Sequence, residues 1–86
     1  MALPRDPLSA DDRRVLGAAI REAREAAGIS PTDLSGRSGL PLSLILEIES
    51  GEKEPRWGTM RSLAQGTGLP LEKLCELVAA HEDRAG

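Results

Sequence analysis

The stretch ISPTDLSGRSGLPLSLILEIESG, residues 29–51, decides how this chain folds. Ser30 is a good helix N-cap, and Pro31 suits the first helical position because its missing N–H would have no partner there. Asp33 lies three residues after Ser30, so its carboxylate can reach back to the first turn and meet the positive end of the helix. Gly39 can adopt the left-handed conformation that ends a helix. These signals predict a short helix that begins after Ser30 and ends at Gly39.

A second short helix is predicted after a tight turn. Pro41 restarts the chain and Gly51 supplies a stop, and between them apolar residues fall at helical spacing at Leu44, Ile45 and Ile48. A helix, a turn of three or four residues that contains glycine, and a second helix form the helix-turn-helix pattern. We expect the remaining helices to present this second helix, residues 41–50, outward.

Length and composition limit the chain to one domain. It has 86 residues, 40% of them hydrophobic, with one Trp and neither Phe nor Tyr. The core must therefore consist of Leu, Ile, Val and Ala, which suits short, closely packed helices. A single cysteine cannot form an intramolecular disulfide, and no segment has the length of a transmembrane helix or the apolar core of a signal peptide. We expect a cytoplasmic protein.

Two further helices surround the pattern. The first is predicted to start at Ser9, where Asp12 completes an S-x-x-D signal, and to run through an Ala-, Arg- and Glu-rich segment to about residue 27. Another is predicted from about Arg56 or Trp57 to Gln65. Together with the two helices of residues 29–51, they bring the number of predicted helices to four.

A fifth helix is predicted to open at Pro70. Its apolar face would contain Leu71, Leu74, Cys75 and Val78, with Cys75 as a small core residue. The domain organisation is then an N-terminal arm over residues 1–8, the helical domain over residues 9–82 and a short C-terminal tail over residues 83–86.

The chain resembles the Cro and phage-repressor type of helix-turn-helix domain, also called lambda-repressor-like or the XRE family. The residues that carry the resemblance are GIS-x-x-x-L-x-x-x-x-G-L from Gly28, then I-x-x-I-E-x-G from Ile45, then Pro55. It extends from about Leu16 to Leu77. The resemblance implies an all-α, five-helix DNA-binding domain that usually works as a dimer. It also implies a structural ion pair between Arg24 and Glu49.

The resemblance assigns a DNA-reading role to the helix of residues 41–50. In that role the helix directs four side chains toward the major groove, namely Leu42, Ser43, Leu46 and Glu47. None of the Arg, Lys, Asn or Gln residues that usually read bases occurs between positions 41 and 50. Leucine can touch thymine methyl groups, serine can bond to either kind of base edge, and glutamate can accept from cytosine. The same two leucines would equally serve as an apolar stripe for a protein partner.

Phosphate contacts are expected around this helix. The candidates are Ser30, Thr32, Arg37, Lys53, Arg56 and Trp57, together with the amides of Thr32 and Asp33 at a helix N-terminus. Where the family commonly has Gln, this chain has Pro31, which offers no side-chain donor. Trp57 can instead fill a partner's pocket or cover the end of the core. The net charge of −3 gives the chain no overall basic surface.

Other function classes find little support. His81 has no second His, Cys or paired carboxylate at ligand spacing, so no metal site is expected. We find neither a phosphate-binding glycine loop nor a nucleophile beside a base, and we expect a non-enzyme without cofactors.

Two binding functions remain. The first is a DNA-binding transcriptional regulator that acts as a homodimer, with the fifth helix or its surroundings as the dimer contact. The second is a protein-interaction module of the same fold, antitoxin-like or binding the transcription machinery, with weak or no DNA binding.

Overall fold

A computed structural model describes residues 8–85 of the chain, with side chains as far as Glu82, as five α-helices. They are α1 (Ala10–Ala26), α2 (Pro31–Ser38), α3 (Leu42–Glu49), α4 (Trp57–Thr67) and α5 (Leu71–Ala85). No strand occurs among the described residues. The expected all-α, five-helix class is confirmed. Residues 1–7 of the predicted arm and Gly86 of the predicted tail lie outside the described residues, and the backbone of residues 83–85 continues α5.

Reciprocal hydrogen bonds fix the starts of α1 and α2. The Asp12 amide donates to Ser9 Oγ at 3.1 Å, and the Ser9 amide donates to the Asp12 carboxylate at 3.3 Å. At α2 the same pair of bonds joins Ser30 and Asp33, at 3.0 Å and 3.1 Å. Both predicted start signals are therefore confirmed, and each satisfies a helix-terminal amide that would otherwise lack a partner.

The turn between α2 and α3 follows from two residues. Gly39 has φ of +76°, a conformation that costs glycine little, and its amide donates to the Ser35 carbonyl to close α2. Pro41 then lies in extended conformation as the N-cap of α3, without a side-chain cap hydrogen bond. The helix proper begins at Leu42, one residue later than the predicted start, because Pro41 keeps the extended ψ of 141°.

The core lies where all five helices meet. Its buried side chains are aliphatic, as the composition predicted. α1 packs against α3 and α5, α2 packs against α3 and α4, and α4 also packs against α5. The fully buried large residues are Ile20, Leu34, Ile45, Ile48, Leu63 and Leu74.

A close approach of α1 to the end of α3 sets the position of α3. A Cβ added at Gly17 would collide with the backbone carbonyl oxygen of Ile48 and would lie 2.7 Å from that of Glu49. Only glycine allows two helix backbones to come this near without a shift. The position of α3 is thus defined by backbone contact as well as by its buried isoleucines.

α4 extends to Thr67, two residues beyond the predicted end. The Thr67 hydroxyl is buried and donates back to the carbonyls of Leu63 and Ala64, at 2.9 Å and 3.0 Å. This local bond lets a polar residue occupy the corner before α5.

The prediction that Cys75 belongs to the core is wrong, because its side chain is exposed. The neighbouring Leu74 is fully buried and faces the core. Since one residue turns about 100° around a helix axis, Cys75 points away from that core. The apolar face of α5 consists instead of Leu74 with the partly buried Leu71, Leu77 and Val78.

Leu8, the last residue of the predicted arm, is held by the domain. Its amide donates to the Glu54 carboxylate at 3.3 Å, and its carbonyl accepts from Arg13 Nη1 at 2.8 Å. Its side chain packs against the core. Leu8 therefore contacts the helical domain through both its backbone and its side chain. None of the helices described for residues 8–85 combines the length and apolarity that a membrane span requires.

Candidate functional site

The outer face of α3 presents the four side chains predicted for it. Leu42 and Leu46 are 38% and 48% exposed. Ser43 is exposed and Glu47 is half-buried. Residues four apart lie one above the other on a helix, so Leu42 with Leu46 and Ser43 with Glu47 form two adjacent rows. The expectation that this face points outward is confirmed.

The loop after α3 folds back onto Glu47. The Glu47 carbonyl accepts from the amides of Glu52 and Lys53, at 2.9 Å and 3.2 Å. The Lys53 ammonium lies 3.9 Å from the Glu47 carboxylate. Because both side chains are partly exposed, this ion pair is weak, but it places a positive charge beside the acidic residue of the outer face.

A buried ion pair holds the inner side of α3 against α1. Arg24 donates from Nε to Glu49 Oε2 at 2.8 Å and from Nη2 to Oε1 at 3.0 Å. The Glu49 side chain is 3% exposed and that of Arg24 is 11% exposed. The hydrogen bonds that Arg24 donates to Glu49, more than the charge of Glu49, raise the pKa of Arg24 above its usual value. The predicted pair is therefore present, and its two-pronged geometry fixes the orientation of α3.

Two further contacts of this cluster are not apparent from the sequence. Arg21 directs Nε to Glu49 Oε1 at 3.4 Å, and Arg24 Nη1 donates to the Ile29 carbonyl at 2.9 Å. The Ile29 bond ties the cluster to the start of the α2 segment. Among the described residues, no buried side-chain polar atom is left without a hydrogen-bond partner.

The predicted phosphate-binding cations lie in two places. Lys53 and Arg56 line one cleft together with Leu44 of α3 and Pro55. Arg37 is exposed in the last turn of α2. The structure thus brings two of the three cations together beside α3, while the third belongs to the preceding helix.

The N-terminus of α2 offers less to an anion than predicted. Ser30 and Thr32 are exposed there. The Asp33 amide, expected to be available, already donates to Ser30 Oγ. The backbone hydrogen bond from Ser30, with a smaller contribution from its side chain, lowers the pKa of the Asp33 carboxyl below its usual value. The expectation for the Asp33 amide is wrong, and of the two amides only that of Thr32 remains to meet a phosphate.

Trp57 opens α4 and is 65% exposed. It lines a groove with residues of α5, whose apolar floor includes Leu71, Cys75 and Ala79 and whose edge carries Glu72 and Glu76. The alternative that Trp57 covers the end of the core is wrong. Sequence reasoning missed the groove, although Leu71, Cys75 and Ala79 recur at four-residue spacing.

His81 contacts α1 in a way the sequence did not indicate. Its Nε2 lies 2.7 Å from a carboxylate oxygen of Glu22, which links the end of α5 to α1. The described residues contain no cluster of His, Cys, Asp or Glu that could hold a metal ion.

Comparison with protein families matches residues 15–77 to the family described as helix-turn-helix domain. An uncharacterized HTH-type transcriptional regulator of Sinorhizobium fredii, y4dL, is 42% identical over 52 residues, which cover 60% of this chain and 26% of that protein. A relative with the same description in Mycobacterium tuberculosis is 32% identical over 73 residues, covering 85% of this chain and 28% of that protein. The chain spans about a quarter of the length of these curated relatives.

Solved structures share the arrangement of helices. The clp gene regulator ClgR of Corynebacterium glutamicum superimposes with a TM-score of 0.74 at 27% identity, over 87% of this chain and 94% of that one. The restriction-modification controller protein C.AhdI of Aeromonas hydrophila gives a TM-score of 0.71 at 28% identity, over 74% and 97% of the two chains.

Proposed function

The chain belongs to the helix-turn-helix domain family, and from that premise we propose that it is a sequence-specific, DNA-binding transcriptional regulator of the Cro and phage-repressor type. In this proposal α3 enters the major groove and its outer face meets the base edges. Because DNA is the ligand, we place the activity in the cytoplasm. The proposed activity is one of binding, not of catalysis.

The observation that supports this proposal most directly is the way α3 is mounted. Its inner side is locked to α1 by Glu49 and Arg24, while Leu42, Ser43 and Leu46 are left exposed on the other side. A reading helix needs a fixed orientation because base contacts depend on positioning to a fraction of an ångström. α3 has the rigid support and the exposed face that such a role requires.

The charges on and around α3 favour a modest affinity for DNA. Arg37, Lys53 and Arg56 are exposed and can each neutralise a phosphate, whereas α3 itself carries no positive side chain. Of its two carboxylates, Glu49 is withdrawn from the surface by Arg24 and Glu47 is partly offset by Lys53. Three phosphate contacts per subunit give weak, salt-sensitive binding that a dimer would multiply.

The salt dependence of DNA binding tests the proposal and also indicates whether one or two subunits contact the duplex. A random-sequence duplex is titrated with protein at about 50 mM and about 200 mM salt, with binding followed by fluorescence anisotropy. Three neutralised phosphates predict an affinity loss of about 40-fold over this range, and six predict about 1,800-fold. Absence of binding at the lower salt concentration would contradict the proposal. A Lys53→Gln variant should flatten the salt slope, whereas Gln65→Ala, an exposed change on α4, should not.

We propose that the protein works as a homodimer through α5 and the surface beside it. The support is the groove between Trp57 and α5, whose exposed apolar residues would gain from burial. Sedimentation equilibrium of the protein and of Trp57→Ala tests this. A monomeric wild type at micromolar concentrations would contradict it.

A protein-interaction module is the second candidate. The exposed Leu42 and Leu46 and the absence of positive charge on α3 favour it. A Leu42→Ala, Leu46→Ala double variant should lose a protein contact outright but only relax the sequence preference of a DNA reader. Lack of duplex binding at low salt, together with loss of a protein partner in this variant, would favour the module.

A further inference from the structure

We infer that α3 recognises DNA mainly through the C5-methyl groups of thymine, with two adjacent thymines on one strand of each half-site. This inference rests on the proposed function and specifies the class of DNA that the same face selects.

The first argument is the chemistry of the exposed side chains. Leu42 and Leu46 are the most exposed apolar residues of α3, and neither can donate or accept a hydrogen bond. In the major groove, the thymine methyl group is the largest apolar feature of the base edges, and most of the others are hydrogen-bond donors or acceptors. The thymine methyl is therefore the feature there that gives a leucine side chain the most apolar contact. A donor or acceptor pressed against leucine would lose its water without a replacement.

The second argument is spacing. Leu42 and Leu46 are one helical turn apart, which separates them by about 6 Å along the axis of α3. Base pairs follow one another at about 3.4 Å along the duplex. Because each step also turns the duplex by roughly a tenth of a turn, the methyl groups of adjacent thymines on one strand lie about 5 Å apart, and those two steps apart lie about 9 Å apart. Two adjacent thymines therefore match the two leucines.

The third argument is the selectivity of the adjacent row. Ser43 can bond to either kind of base edge and adds little discrimination. The Glu47 carboxylate can accept from the cytosine amino group, but it meets the two acceptors of guanine with repulsion. Lys53 lies 3.9 Å from this carboxylate and reduces its repulsion from phosphates. The preferred strand therefore combines two thymines with a neighbouring cytosine.

The test begins with selection of a preferred duplex from a random pool at about 50 mM salt. Each thymine of the selected half-site is then replaced by uracil, which removes only the methyl group, and the dissociation constant is measured again. Burial of one methyl-sized group corresponds to about a fourfold change in affinity, so loss of both predicts about 15-fold. Because the protein is unaltered, a folding defect cannot produce this effect.

Two variants assign the methyl groups to residues. Leu42→Ala and Leu46→Ala should each remove the uracil effect at one thymine and retain it at the other. Gln65→Ala should retain both effects. Helix content and melting temperature, measured by circular dichroism, confirm that each variant is folded.

The outcomes separate this inference from the proposed function. Binding of the selected duplex with no response to uracil would overturn the thymine inference alone. A selected site without two adjacent thymines on one strand would also overturn it. Failure to bind any duplex at low salt would overturn both this inference and DNA binding itself.

Discussion

Replacement of Arg24 by methionine should destabilise the domain severely. Glu49, with its side chain 3% exposed, would lose both of the short hydrogen bonds from Arg24. The Ile29 carbonyl would lose the donor at 2.9 Å. Breaking one side of a buried ion pair typically costs about 3–5 kcal/mol because the remaining charge is left without compensation.

Arg21 limits the loss. It lies 3.4 Å from Glu49, and because its side chain is 54% exposed it can move closer at little cost. We therefore expect the lower end of the range, about 3 kcal/mol. For a domain of this size each kcal/mol shifts the melting temperature by about 4–8 °C, so Arg24→Met should melt about 12–24 °C below the wild type.

Thermal and urea unfolding followed by circular dichroism provide the measurement, and two variants provide the controls. Lys73→Met breaks an ion pair with Glu76 in which both side chains are more than half exposed, and it should cost less than about 1 kcal/mol. The double variant Arg24→Met, Glu49→Leu removes both charges and should recover most of the loss. If Arg24→Met costs no more than Lys73→Met, the ion pair does not hold α3 in the way argued above.

Three further predictions test other parts of the structure, the first two by the same unfolding measurements and the third by thiol reactivity. Gly17→Ala should cost about 1–3 kcal/mol by pushing α3 away from α1, whereas Gly36→Ala, in α2 with open space around it, should stabilise by about 0.5–1 kcal/mol; equal effects would contradict the close approach. Asp33→Asn should lower the melting temperature at neutral pH. Because folding lowers the pKa of the Asp33 carboxyl, the difference in melting temperature between wild type and variant should shrink as the pH falls below about 3.9. A difference that grows at low pH would be inconsistent with the cap. In protein dilute enough to be monomeric, Cys75 should react with a thiol reagent at the rate of an exposed thiol without denaturant. Protection in the monomer would contradict its placement, whereas slower reaction is expected in the proposed dimer because Cys75 lines the groove at its contact.

Much of the fold follows from local signals in the sequence. The capping pairs at Ser9 and Ser30, and the glycine at position 39, are short-range features whose geometry depends on a few neighbouring residues. The helix boundaries that differ from the predicted ones have local causes too. Pro41 keeps an extended backbone, and the Thr67 hydroxyl donates to a carbonyl of its own helix.

The orientation of α5 could not be predicted as reliably. Leu71, Leu74, Cys75 and Val78 all fit one apolar stripe, and only contact with α1 and α4 decides which side of that stripe is buried. The same is true of Arg21 and His81, whose partners are 28 and 59 residues distant. The ion pair of Arg24 was expected only from family resemblance, because periodicity alone does not show which arginine faces Glu49.

The inward and outward residues of α3 have separate tasks. Ile45, Ile48 and Glu49 anchor the helix, while Leu42 and Leu46 contribute little to the core. The outer positions can therefore be exchanged for asparagine, glutamine or arginine with the scaffold left intact. Such a division makes the domain a suitable starting point for redirecting a regulator to a new operator by surface substitution alone.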